Sequence, residues 1–355
     1  MTSNENKRAS LLKPLFEIRN GRYAIADLAS IDLVALNDSD DELFLIETNL
    51  HAGKGIVGGM PNVWLNTELI GQSIVPIVAQ NPGEPILRCL GTGFFVSCTG
   101  FLITAAHVIL DPIESKYGGA VELPGNNFQL TGAKNGVLVP VNSIFAGMKA
   151  WQFRPFEWAE FLAERRELPI PIKGVDLKLS SDIAVCKVQP FPDGRPFQPL
   201  NVVQQGIMGT GFEPGKKAFA VGYGGMANAE ISPLDRRAFE GDFKFDLFGS
   251  TGHVLEHFPE NLLKREVSAP GPCFSATLKL PGGMSGSPIF DDEGIYVHGV
   301  VSKGSIDETG ISAFGYGCML APSLAMPVKF LNGSSIFELL KSEVHGMAKF
   351  SGPGL

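Results

Sequence analysis

From residue 73 onward the chain is written in short apolar runs cut by glycine and proline: 73–78 (SIVPIV), 86–97 (ILRCLGTGFFVS), 100–109 (GFLITAAHVI), 136–141 (GVLVPV), 182–188 (DIAVCKV), 216–224 (KKAFAVGYG), 274–280 (FSATLKL), 287–290 (SPIF) and 296–302 (YVHGVVS). Runs of this length, rich in Val, Ile and Phe and bounded by turn formers, predict β-strands. Two stretches read otherwise. In 155–168, Phe156, Ala159, Phe161, Leu162 and Leu168 recur at near-helical spacing among Glu and Arg, which predicts a helical insertion. Near the end, Ser334 and Ser335 stand as caps before IFELLKSEVHGM and predict a second helix, followed by a Gly/Pro tail that should fray. Residues 1–71 form an N-terminal extension whose apolar pieces at 23–36 and 43–46 flank the acidic cluster Asp38-Ser39-Asp40-Asp41-Glu42. No role is legible in it. The chain contains no internal repeat and no low-complexity tract.

Composition supports the strand reading. The 355 residues include 42 Gly and 25 Pro, more than long helices tolerate, and 44% are hydrophobic against 19% charged, which excludes a disordered chain. The length suits one large two-lobed domain or two modest ones. Net charge is −8, and the basic pairs Arg165-Arg166 and Arg236-Arg237 are too small to hold a phosphate backbone, so nucleic acid is not an expected partner. No stretch approaches the ~18 apolar residues of a membrane span, and the N-terminus lacks a signal-peptide core. A cytoplasmic chain without a membrane partner is expected. Cys89, Cys98, Cys186, Cys273 and Cys318 are odd in number and irregularly spaced, which suits buried thiols in a reducing compartment.

The strongest local chemical signal is Gly282-Gly283-Met284-Ser285-Gly286-Ser287-Pro288, a serine among glycines just before a short apolar strand. A nucleophile needs such a turn, because backbone N–H groups must converge on the oxygen of the attacked carbonyl and a Cβ would block that approach. Serine is a poor nucleophile at neutral pH and requires a base and an orienting carboxylate. His107 ends the apolar run 100–107 among small residues, and Asp182 opens the apolar strand 182–188.

TAAH at 104–107, DIAV at 182–185 and GMSGSP at 283–288 together resemble the three signatures of the trypsin-like, chymotrypsin-fold serine peptidases, in the same order His, Asp, Ser. The likeness covers about residues 73–327 and is nearest to bacterial glutamyl-endopeptidase and HtrA-like members without a PDZ domain. It implies a mainly all-β fold of two six-stranded antiparallel β-barrels with the active site between them: a peptidase domain at 72–332, with the first barrel at about 72–190 and the second at about 205–328, then a C-terminal helix and tail at 333–355. It implies an endopeptidase that acylates Ser285, with His107 as general acid/base, Asp182 as orienting carboxylate and the N–H groups of Gly283 and Ser285 as oxyanion hole. Ser302, Lys303 and Gly304 match the strand on which the family pairs an extended peptide substrate, and Lys279, six residues before Ser285, sits near the specificity pocket, where two lysines would favour an acidic substrate side chain. No cofactor and no metal are implied.

This chain departs from the pattern in informative ways. Met284 replaces the acidic residue that zymogen-type members pair with a freshly cut N-terminus, so activation by N-terminal clipping is not expected, and Val108 stands where secreted members carry a cysteine. The N-terminal extension, the long His107–Asp182 interval and the C-terminal helix are expected to shape the cleft or bind a regulatory protein partner. Three other readings compete. His253-Val254-Leu255-Glu256-His257 matches the H-x-x-E-H zinc motif, but Gly249, Gly252 and Pro259 leave less than two turns of helix, and a strand or loop is expected. Residues 53–58 (GKGIVG) fit G-x-G-x-x-G without a βαβ unit around them. An α/β-hydrolase elbow fails because Ser287 stands where a glycine is required. A trypsin-like scaffold kept as a catalytically silent binding protein is the non-enzymatic alternative.

Overall fold

The computed structural model describes residues 8–34, 43–46, 53–58, 69–80, 83–114, 119–123, 127–131, 134–141, 149–165, 177–202, 212–233, 238–258, 272–291, 293–306 and 312–342. The acidic cluster 38–42 and the tail after Ser342 lie outside these residues.

The chain opens with a hairpin of β1 (Arg8–Arg19) and β2 (Arg22–Val34), paired antiparallel from Arg8↔Val34 to Arg19↔Arg22. Its two-residue turn is Asn20-Gly21, at φ 52° and 71°, the left-handed pair that matches the natural twist of a hairpin. The short strands β3 (Leu43–Leu45) and β4 (Gly53–Gly58) follow. Residues 53–58 are therefore a strand, antiparallel to one neighbour and parallel to another, and not a phosphate-binding loop.

The first barrel contains β5 (Ile74–Gln80), β6 (Ile86–Phe95) and β7 (Phe101–Thr104). After helix α1 (Ala106–Glu114) and the hairpin β8 (Gly119–Leu123) and β9 (Asn127–Thr131), it continues with β10 (Lys134–Val141), β11 (Lys149–Arg165) and β12 (Leu177–Val188). Antiparallel pairings run β5–β6–β7–β12–β11–β10 and back to β5, closing six strands. The second barrel holds β13 (Lys217–Ala227) and, after the short β14 (Ala229–Pro233), β15 (Ala238–Phe258), β16 (Cys273–Ala276), β17 (Pro288–Phe290), β18 (Val297–Ile306) and β19 (Ser312–Met319). Its circuit is β13–β15–β16–β19–β18–β17 and back to β13, again antiparallel throughout. Closure leaves no edge strand within either ring. The long β15 leaves its barrel at one end to pair with β4 and β14, and β14 pairs with β6, so strands outside the rings tie the two lobes together.

The helix expected over 155–168 is corrected: these residues belong to β11 as far as Arg165 and pair with β12. Two features disguised the strand. Register shifts at Phe156/Trp158 and Phe161/Ala163 break the two-residue alternation, and both faces are covered, since Ala159, Glu160 and Phe161 are all buried. The C-terminal segment covers one of them: Glu160 accepts the Lys329 N–H at 2.9 Å, and Trp158 stacks on Phe330 at 4.6 Å. That segment comprises α2 (Leu320–Leu324), a 3-10 turn at Lys329–Leu331 and α3 (Ile336–Ser342). The expected terminal helix is present as α3, closed by a reciprocal cap in which Glu338 N–H donates to Ser335 Oγ at 3.1 Å and Ser335 N–H donates to Glu338 Oε2 at 2.9 Å.

Candidate active site

His107 sits in the first turn of α1, immediately after β7 has delivered the chain to the seam between the lobes. Asp182 lies on the neighbouring strand β12, where Ala184 pairs with Thr104. The Asp182 residue is 3% exposed, and its carboxylate is engaged on both oxygens. Oδ1 accepts the His107 backbone N–H at 2.9 Å, Oδ2 meets His107 Nδ1 at 2.7 Å, and Oδ2 also accepts the Ser302 hydroxyl. Held by several donors, the carboxylate fixes the orientation of the imidazole. The His107 side chain remains 43% exposed.

Ser285 arrives from the other lobe. Its Oγ lies 3.5 Å from the Ser302 carbonyl on β18, while the Ser302 hydroxyl reaches Asp182. Two links with the first barrel hold the Ser285 turn. Thr92 N–H on β6 donates to the Ser285 carbonyl at 2.8 Å, and the Thr92 hydroxyl accepts Tyr223 N–H at 3.0 Å and donates to the Gly283 carbonyl at 3.2 Å. Gly91 shows how tight this junction is: a Cβ there would stand 2.6 Å from Val108 and 2.8 Å from the Ser285 carbonyl, which puts the residue after His107 and the Ser285 turn on either side of one backbone. His107, Asp182 and Ser285 are thus brought to one seam.

The turn itself requires its glycines. Gly286 has φ +87°, and a Cβ would fall 2.0 Å from the Thr92 carbonyl oxygen; Gly283 has φ +100°. The Gly282 carbonyl accepts Gly225 N–H at 2.8 Å, and among the described residues no acceptor takes the N–H of Gly283 or of Ser285. Met284 is fully buried with Leu278, Leu280, Ile289 and Val301, so the second barrel's own core anchors this position where an acidic side chain would need a cationic partner.

Of the residues expected on the substrate side, Lys303 is exposed and lies opposite Tyr316, and Gly304 lies opposite Gly315. Lys279 is half-buried, its backbone N–H held by Ser250 Oγ at 2.9 Å. Beneath the site, Cys318 on β19 is approached by the Asp182 backbone and the Ser302 side chain, and burial followed by the Asp182 charge pushes its thiol well above the ordinary range. Thr92, the hydroxyl of Ser302 and Cys318 escape a sequence reading because each looks like a routine strand residue. Only the tertiary pairing gives them a neighbour in the site.

The segment carrying H-x-x-E-H is a strand, as expected against the zinc alternative. His253, Glu256 and His257 lie in the extended strand β15, where His257 Nε2 meets the Phe212 carbonyl at 2.6 Å, and a strand does not bring residues four apart onto one metal as a helix turn does. Among the described residues no helix is long and apolar enough to cross a membrane.

No curated protein sequence matches the chain. Among solved structures it is similar to Deg5, at 15% identity and TM-score 0.38, covering 71% of this chain and 85% of that one. The active form of the Rv3671c protease from M. tuberculosis is 18% identical at TM-score 0.35, with coverage of 76% and 86%. The MamO protease domain from Magnetospirillum magneticum is 15% identical at TM-score 0.36, with coverage of 72% and 95%. The model of the trypsin-like peptidase domain matches residues 91–299, a span that takes in the seam from Gly91 to Ser285. The chain belongs to the trypsin-like peptidase family and is a serine endopeptidase.

Proposed function

We propose that Ser285 attacks the scissile carbonyl of a peptide substrate, with His107 taking its proton and returning it to the leaving amine. Asp182 holds the imidazole with Nδ1 protonated and stabilises the imidazolium while it lasts. The resulting acyl-enzyme on Ser285 is hydrolysed by water, His107 serving again as base. The N–H groups of Gly283 and Ser285 receive the oxyanion; the positive φ of Gly283 and the lack of a described acceptor for either N–H support a hole formed before substrate arrives. Loss of one such donor costs ~10²–10³ in rate. The substrate lies extended along Ser302, Lys303 and Gly304, pairing with the backbone of β18 next to the nucleophile.

The observation that carries this reading is the buried Asp182 carboxylate joined to the backbone N–H and the ring Nδ1 of His107 and, through Ser302, to the strand that Ser285 touches. A fluorophosphonate probe tests it. Covalent labelling of the wild-type chain that disappears in Ser285→Ala and in His107→Ala, together with loss of casein cleavage in both, is expected. Absence of labelling in the wild type, with the fold intact by circular dichroism, would support the silent scaffold instead. A peptide-library cleavage profile then tests whether Lys279 and Lys303 select acidic side chains.

A further inference from the structure

Of the five cysteines, two face each other. Cys273 on β16 and Cys318 on β19 are direct partners in the antiparallel ladder. The next rung, Pro272 with Met319, is joined by Met319 N–H to the Pro272 carbonyl at 3.0 Å. Rungs alternate, so Cys273–Cys318 is a non-hydrogen-bonded rung, where Cα atoms approach to about 4.5 Å and side chains stand closest. That spacing falls inside the ~4.4–6.8 Å range a disulfide spans. The other cysteines have no such partner in register: Cys89 lies opposite Val78, and Cys186 opposite Leu102 and Ala159. The two side chains share one face. Phe274, Val301 and Met319 turn into the second barrel's core, whereas Cys273, Val300 and Cys318 turn the other way, into the larger core shared with the first barrel and beside Asp182.

We propose that Cys273 and Cys318 form a cross-strand disulfide when the chain folds in the presence of a disulfide oxidant, closing a covalent loop that carries Ser285. One cysteine thiolate attacks the oxidant's S–S bond, releasing the first oxidant thiol and leaving a mixed disulfide. The second thiolate attacks the bonded cysteine sulfur and releases the other oxidant thiol. The pair loses two electrons and two protons, and the oxidant is reduced to two thiols. Timing follows from burial. Both side chains are almost completely enclosed in the folded chain, and burial pushes the Cys273 thiol up to about 11, so the thiols are protonated and screened once the barrel has closed. The bond therefore forms during folding and is shielded from reductants afterwards. It draws the Cys318 sulfur toward Cys273 and away from Ser302.

Refolding the full chain from denaturant with oxidised glutathione tests this independently of peptidase activity. The expected product has lost two of its five thiols, is about 2 Da lighter, gives one 273–318 cross-link on peptide mapping and melts at a higher temperature than the reduced chain. The variant with Cys89, Cys98 and Cys186 all changed to serine keeps the cross-link; should that variant not fold, the wild-type peptide map decides. Five thiols after oxidative refolding, glutathione adducts without a cross-link, or a cross-link to any of the other three cysteines would overturn the proposal.

Discussion

Lys13 offers a sharp energetic test of how the N-terminal hairpin docks. Its side chain is fully buried, with Nζ donating to the Leu69 carbonyl at 3.3 Å and to Ser73 Oγ, and among the described residues no carboxylate pairs with it. The surrounding strand is committed to both lobes. Leu12 N–H donates to the Gly294 carbonyl, Asn201 Nδ2 to the Leu12 carbonyl, and Phe16 N–H to Gln198 Oε1 at 2.9 Å. Burial alone lowers the Lys13 ammonium from 10.5 to about 7. At 1.36 kcal/mol for each decade of proton affinity, docking a charged Lys13 costs ~5 kcal/mol relative to docking the neutral amine. The folded chain binds fewer protons than the unfolded chain between about 7 and 10.5, so stability rises with pH through that window and the cost is greatest at and below its lower end. Lys13→Met, which fills a similar volume without charge, should raise the unfolding free energy at pH 7 by a few kcal/mol. It should also remove the rise expected of the wild type between pH 7 and 10. Urea melts of both chains at several pH values, with protease resistance of the hairpin as a local readout, measure this. Reduced stability of Lys13→Met at pH 7, or a wild-type stability that falls from pH 7 to 10, would refute the reasoning.

Further consequences concern the seam and its anchors. Asp182→Asn should leave the fold intact and lower kcat by ~10⁴, because an amide no longer fixes the proton on His107 Nδ1; steady-state kinetics on a cleaved peptide measures it. Thr92→Val leaves Tyr223 N–H without its acceptor and releases the Gly283 carbonyl, so kcat should fall roughly tenfold while KM changes little. Gly286→Ala places a methyl 2.0 Å from the Thr92 carbonyl oxygen at φ +87°, and fluorophosphonate labelling should be lost even where circular dichroism remains native. Burial raises the Glu160 carboxyl above its ordinary 4.5, against the lowering effect of the Lys329 and Phe330 N–H groups. The folded chain then holds that proton to higher pH than the unfolded chain, so wild-type stability should fall relative to Glu160→Gln as pH rises through that raised value. Paired thermal melts from pH 4 to 7 check the sign.

The Ser285 turn, His107 and Asp182 stood out in the sequence because each has a local pattern written in adjacent residues: glycines around Ser285, small residues around His107, and a polar opening to the apolar strand at Asp182. Strands β5–β7, β10, β12, β13 and β16–β18 were legible for the same local reason. Strand β11 was not, because register shifts broke its alternation and the C-terminal segment buried its second face. What the sequence by itself determined was therefore the inventory: short strands in number, a serine in a turn that admits no side chain at Gly286, and the residue types for acyl transfer. Only the tertiary structure decided the relations among them. Thr92 became the link between lobes, Ser302 joined its hydroxyl to Asp182, Met284 entered the second core, and Lys13 was driven into a seam that carries no described counter-charge. The physical reason is that alternation, capping and turn chemistry act over a few residues, whereas hydrogen-bond partners, burial and ladder register depend on which distant strands the closing of two barrels sets side by side.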